Sequence, residues 1–231
     1  MTSTGTSDAT TAETTTVTTT ETTGAASTVL ARLHRLRHSN AWIFGTMLLS
    51  ACVSLAASFV LSIDALLLAA DPGVNLSCNI NAVISCGTVA ESWQAQLFGF
   101  PNAFLGLVAE PVVITIAVAS LGGTRFPRWF MFAAQIVYAL GVVFAYWLFY
   151  QSMFVIGALC PWCLLVTVST TLVFGTLTHV NIRDGNLPLP SRAQAAARRF
   201  IDADFDAIAA AIVILVLILA VVLKYGSALL A

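Results

Sequence analysis

Charged side chains are scarce in this sequence. They make up 9% of its 231 residues, while 58% of the residues are hydrophobic. A soluble domain usually carries about 25% charged residues, so this shortage excludes a soluble protein and indicates an integral membrane protein. The formal net charge of −1 argues against nucleic acid as a partner, because nucleic-acid-binding proteins are usually basic.

Motifs that bind the common redox cofactors are also missing. The sequence has no histidine pair placed for haem, no glycine-rich dinucleotide loop and no iron–sulfur spacing of cysteines. These absences exclude the corresponding classes of oxidoreductase. Any redox chemistry in this chain must therefore depend on its five cysteines.

Five apolar segments are long enough to cross a bilayer as helices. They run from Ala41 to Ala70, from Asn102 to Leu121, from Trp129 to Tyr150, from Cys160 to Val180 and from Ala207 to Leu223. The first span is too long for a signal peptide, so we predict that it is not cleaved. The Thr-rich residues 1–28 precede it, and their low complexity predicts a disordered cytoplasmic tail.

Basic residues concentrate on one side of these spans. All arginines precede span one, or lie between spans two and three or spans four and five, while Lys224 follows span five. The positive-inside rule then predicts a cytoplasmic N-terminus and an outer C-terminus. The loop 71–101 and the segment 151–159 should face outside, whereas all three histidines should lie on the cytoplasmic side.

Four of the cysteines fall on the predicted outer face, where disulfides form. Cys160 and Cys163 make a Cys-x-x-Cys motif in the first turn of span four, where the helix N-terminus lowers a thiol pKa. Cys78 and Cys86 lie in a polar loop and can close a disulfide. Two pairs on one face favour a dithiol relay. Two independent structural disulfides or a four-cysteine zinc site are the alternatives, although the spacing is unusual for zinc.

A thiol relay at a membrane needs an electron acceptor. Since motifs for haem, dinucleotides and iron–sulfur clusters are missing, a lipid-soluble quinone is the acceptor that remains. The sequence thus predicts a protein that joins thiols outside the membrane to a quinone within it.

Two stretches of this sequence resemble the vitamin K epoxide reductase family, and its actinobacterial members most. They are SCNINAVISCGTVAESWQAQLFGFPNAFLG at 77–106 and CPWC at 160–163. The shared motifs are a Cys-x7-Cys loop, a Ser six residues after its second Cys, Pro-Asn at the head of the second span and Cys-x-x-Cys at the head of the fourth. The resemblance covers roughly residues 40–180.

The resemblance implies an all-α integral membrane fold. Four helices would form a bundle around a quinone, under an outer-face half-helix that residues 88–99 fit, and a fifth transmembrane helix would lie outside the shared core. We therefore expect a catalytic domain at 29–180, a cytoplasmic loop at 181–206 and the fifth helix at 207–224.

The resemblance also assigns a role to each outer cysteine. Cys78 is expected to form the mixed disulfide with a thioredoxin-like partner, and Cys86 to attack Cys160. Cys163 is then expected to lie beside the quinone and reduce it. No metal is expected at this site.

Further residues match positions that bind the quinone in the family. Asn102 is expected to hydrogen-bond a quinone carbonyl and Ser92 to line the site, and we also assign Phe104, Leu105 and Trp162 to it. Without the resemblance, Ser92 reads as a cap of the half-helix and Asn102 as a cap of span two.

The function that the resemblance implies is a membrane thiol oxidase in the inner membrane of a bacterium. It would oxidise a separate periplasmic DsbA-like or thioredoxin-like protein, reduce menaquinone or ubiquinone, and so support disulfide formation in exported proteins. Quinone or quinone-epoxide reduction as the main purpose is one alternative, although Thr167 replaces the Tyr of vertebrate members. A non-catalytic module, stapled by disulfides or binding zinc, is another.

Three residues inside span one and span two fall outside these motifs. Glu110 is an intramembrane carboxylate, either a proton donor to reduced quinone or a protonated group paired within the bundle. Asp64 is either a solvated helix end or a group that helps to ionise or position the outer site. Cys52 is expected to act as a small hydrophobic residue.

Overall fold

The computed structural model describes residues 37–81 and 83–229, so the tail predicted at 1–28 lies outside the described residues. The helices are α1 (Asn40–Ala70), α2 (Cys86–Ala90), α3 (Ala103–Leu121), α4 (Arg128–Gln151), α5 (Pro161–Arg183), α6 (Ser191–Asp202) and α7 (Phe205–Leu229). A 3₁₀ turn at Trp93–Gln96 and a π-helical turn at Ser152–Ile156 complete the elements of this part of the chain.

Five of these helices are long and apolar enough to cross a membrane. Their spanning segments are Asn40–Ala70, Ala103–Leu121, Arg128–Ile156, Pro161–Arg183 and Phe205–Gly226. Each contains or closely matches one of the five predicted spans, which are therefore confirmed. The chain is an all-α, multi-pass membrane protein.

Helices α1, α3, α4 and α5 share one hydrophobic core and so form a four-helix bundle. The buried residues of that core are Ile43, Phe44, Met47, Ala51, Val113, Ile116, Ala117, Met131, Tyr138, Val173, Leu177 and Val180. Small residues let two of these helices approach closely, as is usual in membranes. A Cβ added at Gly106 of α3 would lie 2.7 Å from the Ser58 Cβ of α1.

Helix α7 is attached to the bundle near both of its ends. The Asp206 carboxylate lies 2.7 Å from His179 Nδ1 of α5. In its last turns, the Lys224 ammonium and the Tyr225 hydroxyl both donate to the Met153 carbonyl in the π-helical turn. Since that turn directly precedes the Cys-x-x-Cys segment, α7 supports the chain that leads to the cysteines.

Two segments differ from the secondary structure that the sequence analysis expects for them. The half-helix expected at 88–99 is present as two short pieces, because Ser92 has an extended backbone (φ −69°, ψ 146°) that interrupts helical geometry. The segment 181–206 contains helix α6. Its run of alanine, arginine and glutamine has high helix propensity, so a helix within this connection is locally favoured.

Candidate functional site

The loop pair Cys78 and Cys86 forms a disulfide, with its Cα atoms 5.7 Å apart. Cys86 is the first residue of α2, and Ser85 is its N-cap. The Asn79 side-chain oxygen accepts from the Ser85 hydroxyl at 3.1 Å and from the Gly87 N–H at 2.9 Å. The bond from the Gly87 N–H satisfies a backbone donor that a helix start leaves unpaired, and both bonds fix the loop beside the disulfide.

The Cys-x-x-Cys pair opens α5. Pro161 is the first helical residue, where its missing N–H does no harm, and Cys160 is the N-cap. The Cys160 sulfur accepts from the Cys163 N–H at 3.3 Å. A hydrogen bond from the Cys163 side chain lowers the pKa of the Cys160 thiol, although its burial acts in the opposite direction. Cys160 is thus the cysteine of this pair that lies outside the spanning helix and is prepared to ionise.

A short backbone pairing joins the two cysteine segments. The Leu159 N–H donates to the Val83 carbonyl at 2.7 Å, and the Ser85 N–H donates to the Leu159 carbonyl at 3.1 Å. Because Cys86 follows Ser85 and Cys160 follows Leu159, this pairing holds Cys86 and Cys160 on adjacent segments of the chain.

The four predicted cysteines meet in one cluster. Cys78, Cys86 and Cys160 are buried together with Leu76, and Cys163 and Trp162 pack against them. Cys160 and Cys163 are thiols in this structure, as is Cys52, which is exposed on α1. The structure therefore groups the cysteines as their positions predicted and leaves Cys52 apart from the cluster.

The two predicted polar residues of the quinone site lie on the segment that leads into α3. The Ser92 hydroxyl donates to the Val89 carbonyl at 2.6 Å, and the Asn102 Nδ2 donates to the Gln94 carbonyl at 2.6 Å. Neither side chain caps the helical element that follows it. Among the described residues, the buried Asn102 Oδ1 has no hydrogen-bond partner. A buried acceptor without a donor is costly, and it is suited to a ligand that brings an O–H.

The remaining predicted quinone residues are divided between two places. Trp162 packs against the cysteine cluster. Phe104 is half-buried and stacks on Phe100, with ring centroids 6.3 Å apart. Leu105 is exposed on α3.

Asp64 is buried, so the expectation of a solvated helix end is wrong. It is 7% exposed, and its Oδ2 lies 3.8 Å from the Cys78 sulfur. The loop that carries Cys78 covers this part of α1, which local sequence does not reveal. One ligand atom from each of Asp64, Cys78 and Cys86 lies within 4.8 Å of the others. Sulfurs in a disulfide are not thiolates, however, so these three residues do not offer two thiolate ligands in this oxidised form.

Glu110 is paired inside the bundle. The Ser54 hydroxyl of α1 donates to its Oε1 at 2.7 Å, and the Tyr138 hydroxyl of α4 donates to its Oε2 at 2.8 Å. The carboxyl thus links three helices through both of its oxygens. This geometry matches the expectation that Glu110 pairs within the bundle.

Comparison with known proteins identifies the family. The pattern of the vitamin K epoxide reductase family matches residues 46–178, which is more than half of the chain. The chain belongs to this family. A search of curated proteins finds none that matches. As a vitamin K epoxide reductase family protein, the chain is a membrane oxidoreductase of the kind that handles disulfides and quinones.

A row of aromatic rings begins at Phe104, and its other members were not predicted. Ring contacts run from Phe104 through neighbouring aromatic side chains to the 3₁₀ turn, and its members are Phe100, Phe98, Phe144, Trp147 and Trp93. The aromatic run around Pro101 was a signal for part of this row. Phe144 and Trp147 come from α4, and only the packing of α4 beside the turn brings them there.

Proposed function

We propose that this family member oxidises a dithiol protein outside the membrane and passes two electrons to a membrane quinone. The observation that carries this proposal is the single buried cluster formed by both cysteine pairs. Disulfide exchange requires one sulfur to reach another, and the backbone pairing of Leu159 with Val83 and Ser85 supports such an approach between Cys86 and Cys160.

Each exchange in the proposed relay breaks one disulfide bond and forms another. A partner dithiol attacks Cys78 and reduces the loop disulfide while its own thiols become oxidised. Cys86 then attacks Cys160 of the oxidised inner pair, and Cys163 leaves as a thiolate. Cys78 next attacks Cys86, which restores the loop disulfide and releases Cys160. The inner pair is now reduced, with the same pairing as in this structure.

The residues that the resemblance assigns to the quinone site are suited to a quinone, which would accept two electrons and two protons. The unpaired Asn102 Oδ1 is an acceptor for an O–H, and its Nδ2 retains one N–H for a carbonyl. Aromatic side chains from Phe104 to Trp93 offer apolar contact area. We assign Asn102 to hold a quinone oxygen, and Ser92, Phe104 and Trp162 to the walls. Leu105 keeps this assignment from the resemblance alone. Menaquinone and ubiquinone both fit this chemistry.

The charge distribution supports one orientation in the membrane. Arginines flank one side of the spans, so we propose a cytoplasmic N-terminus and cysteines on the outer face of a bacterial inner membrane. A separate periplasmic protein of the DsbA or thioredoxin kind would then reach Cys78 and acquire the disulfide that it transfers to exported proteins. We propose residues 29–180 as the catalytic domain, 181–206 as a cytoplasmic connection and 207–224 as an added transmembrane helix.

The decisive experiment follows the absorbance of a soluble quinone analogue mixed with purified chain and a reduced DsbA-like protein. We expect loss of the quinone with the unaltered chain and with Cys52→Ala, and none with Cys163→Ala. The Cys52 variant is the matched control because its thiol is exposed on α1, apart from the cluster. Equal rates for the Cys163→Ala variant and the unaltered chain would contradict the relay.

A zinc-binding module is the second candidate function, because Asp64, Cys78 and Cys86 are close enough to share an ion once the disulfide is reduced. Stoichiometric zinc in the reduced chain, with no quinone reduction, would favour that function. Reduction of a quinone epoxide as fast as of a quinone would instead favour epoxide chemistry as the main purpose.

A further inference from the structure

Asp64 is a carboxylate buried beside reacting sulfurs. It lies on the face of α1 that carries Leu61 and Leu68, both packed against the cysteine cluster, since positions three and four residues apart share a helix face. Its Oδ2 is 3.8 Å from the Cys78 sulfur. Burying a carboxylate is costly unless it is paired, so this position requires an explanation.

Among the described residues, Asp64 has no ion pair, and the polar contact of its carboxylate is with the Cys78 sulfur. In this oxidised form that sulfur is bonded to Cys86 and carries no hydrogen, so it cannot donate to Asp64. The elements packed around the cluster are α1, the 71–85 loop, α2 and the start of α5. The titratable side chains that these elements bring to the cluster are Cys78, Cys86, Cys160 and Cys163, while Asp71 of the loop is exposed. Once reduced, the cysteines are therefore groups with which Asp64 can exchange a proton.

Asp64 acts on both sides of the proposed disulfide exchange. Its carboxylate and the Cys78 and Cys86 sulfurs lie within 4.8 Å of one another. Its negative charge also reaches Cys160, where it opposes ionisation of the thiol. One carboxylate thus lies near the sulfur that must lose a proton and influences the sulfur that must gain one.

We propose that Asp64 is a catalytic proton shuttle in the transfer of the disulfide from Cys86–Cys160 to Cys78–Cys86. The Asp64 carboxylate takes the proton of the Cys78 thiol, and the resulting thiolate attacks the Cys86 sulfur. The Cys78–Cys86 bond forms as the Cys86–Cys160 bond breaks, and Cys160 leaves with the electron pair. Asp64 then returns the proton to Cys160, so that one disulfide and one thiol are present before and after the step.

This inference rests on the proposed relay, but one of its steps can be measured without a quinone. The full-length chain, with both cysteine pairs oxidised, is mixed with one equivalent of dithiothreitol and quenched with acid at timed intervals. Alkylation and peptide mass spectrometry then quantify the Cys86–Cys160 disulfide and the thiols of the inner pair. A chain that exchanges disulfides here but never reduces quinone would contradict the proposed function alone.

The test compares Asp64→Asn and Asp64→Glu with Asp71→Asn. The control residue, Asp71, is exposed just beyond α1 and accepts from the Gly73 N–H at 2.9 Å. General acid–base catalysis contributes roughly 10²–10⁴-fold, so we expect Asp64→Asn to slow the transfer about a hundredfold at pH 7 and to accumulate Cys86–Cys160. Asp64→Glu should recover most of the rate, and Asp71→Asn should match the unaltered chain.

The pH profile separates a proton shuttle from a structural role. Without Asp64, Cys78 must ionise by itself, so the Asp64→Asn rate should rise with pH up to the pKa of that thiol. The unaltered chain should show a shallower rise of rate with pH. Peptide mapping that finds the Cys78–Cys86 disulfide in the oxidised variant, together with an unchanged Tm, would confirm that the variant is folded. An unaltered rate and pH profile for folded Asp64→Asn would overturn the proposal. So would stoichiometric zinc on the reduced chain that Asp64→Asn abolishes.

Discussion

Asp64 and Glu110 are both buried carboxylates of the bundle helices, but the groups next to their oxygens differ. Both oxygens of Glu110 accept bonds from hydroxyls, at 2.7 Å from Ser54 and at 2.8 Å from Tyr138. Asp64 Oδ2 instead lies 3.8 Å from the sulfur of Cys78, which is in a disulfide and carries no hydrogen. Glu110 therefore has both of its oxygens hydrogen-bonded, while Asp64 lies next to a sulfur that would change its bonding in the proposed exchange.

The comparison separates two ways in which a membrane protein uses a costly polar group. A carboxyl whose oxygens are both satisfied joins helices, and its removal leaves other buried groups unpaired. A carboxyl that receives no such bonds and lies next to a disulfide sulfur is expected to change its protonation state more readily. We therefore expect substitutions around Glu110 to change stability and substitutions in the cysteine cluster to change activity.

The largest effect should come from Cys160→Ser, which we expect to reduce quinone turnover to background. Its hydroxyl can still accept from the Cys163 N–H, as the sulfur does at 3.3 Å, so the start of α5 should remain folded. Quinone absorbance and Tm, measured side by side, check both statements. Turnover by the folded variant would show that the exchange does not need Cys160, and the cysteine cluster would then no longer be the region that determines activity.

Glu110→Ala should destabilise the chain by about 2–4 kcal/mol, since it combines a cavity with two unpaired hydroxyls. Thermal or denaturant unfolding in detergent measures this loss, and turnover per folded molecule should be retained. Glu110→Gln is the matched control, because its amide keeps the shape and an acceptor oxygen. If the glutamine variant were stable but inactive, Glu110 would act on protons and its contrast with Asp64 would fail.

The spans and the cysteine cluster could be predicted because their signals are local. A bilayer demands long apolar helices, and Pro161 after Cys160 predicts a helix start. The positive-inside rule placed this motif on the same face as Cys78 and Cys86, and the resemblance to a known family then assigned a role to each cysteine. The family match over residues 46–178 confirms that identification.

Features that depend on distant segments could not be predicted. Asp64 is buried because the loop that carries Cys78 folds over α1, and no pattern within α1 indicates this cover. The hydroxyls that satisfy Glu110 come from Ser54 and Tyr138, which are 56 and 28 residues away in sequence. The unpaired Asn102 Oδ1 also depends on tertiary packing. The sequence therefore indicates which groups are chemically unusual, while the fold decides whether those groups find hydrogen-bond partners.

A smaller effect should follow from Gly106→Ala, which tests the packing beside the Glu110 network. The added Cβ would lie 2.7 Å from the Ser58 Cβ, so α1 and α3 must move apart. Overpacking of this kind costs about 1–3 kcal/mol, measurable as a lower Tm. Gly141→Ala is the control, because an added Cβ there meets no atom within 4 Å. Equal Tm values for the two variants would show that the α1–α3 contact tolerates a methyl group.

The smallest effect should come from Tyr225→Phe, which tests how α7 contributes to the π-helical turn before the Cys-x-x-Cys motif. The Tyr225 hydroxyl donates to the Met153 carbonyl at 3.0 Å, and Lys224 also donates to that carbonyl. Because the lysine remains, we expect a loss of about 0.6 kcal/mol, the average for a hydrogen bond inside a membrane protein.

Tyr150→Phe, an exposed position on α4, is the control for Tyr225→Phe, and unfolding in detergent compares the two. Equal stabilities together with normal turnover would leave α7 without a measurable role at this site. A fall in turnover without a fall in stability would instead mean that α7 positions Cys160 through the π-helical turn. Helix α7 would then belong with the residues that determine activity, as Asp64 does in the comparison with Glu110.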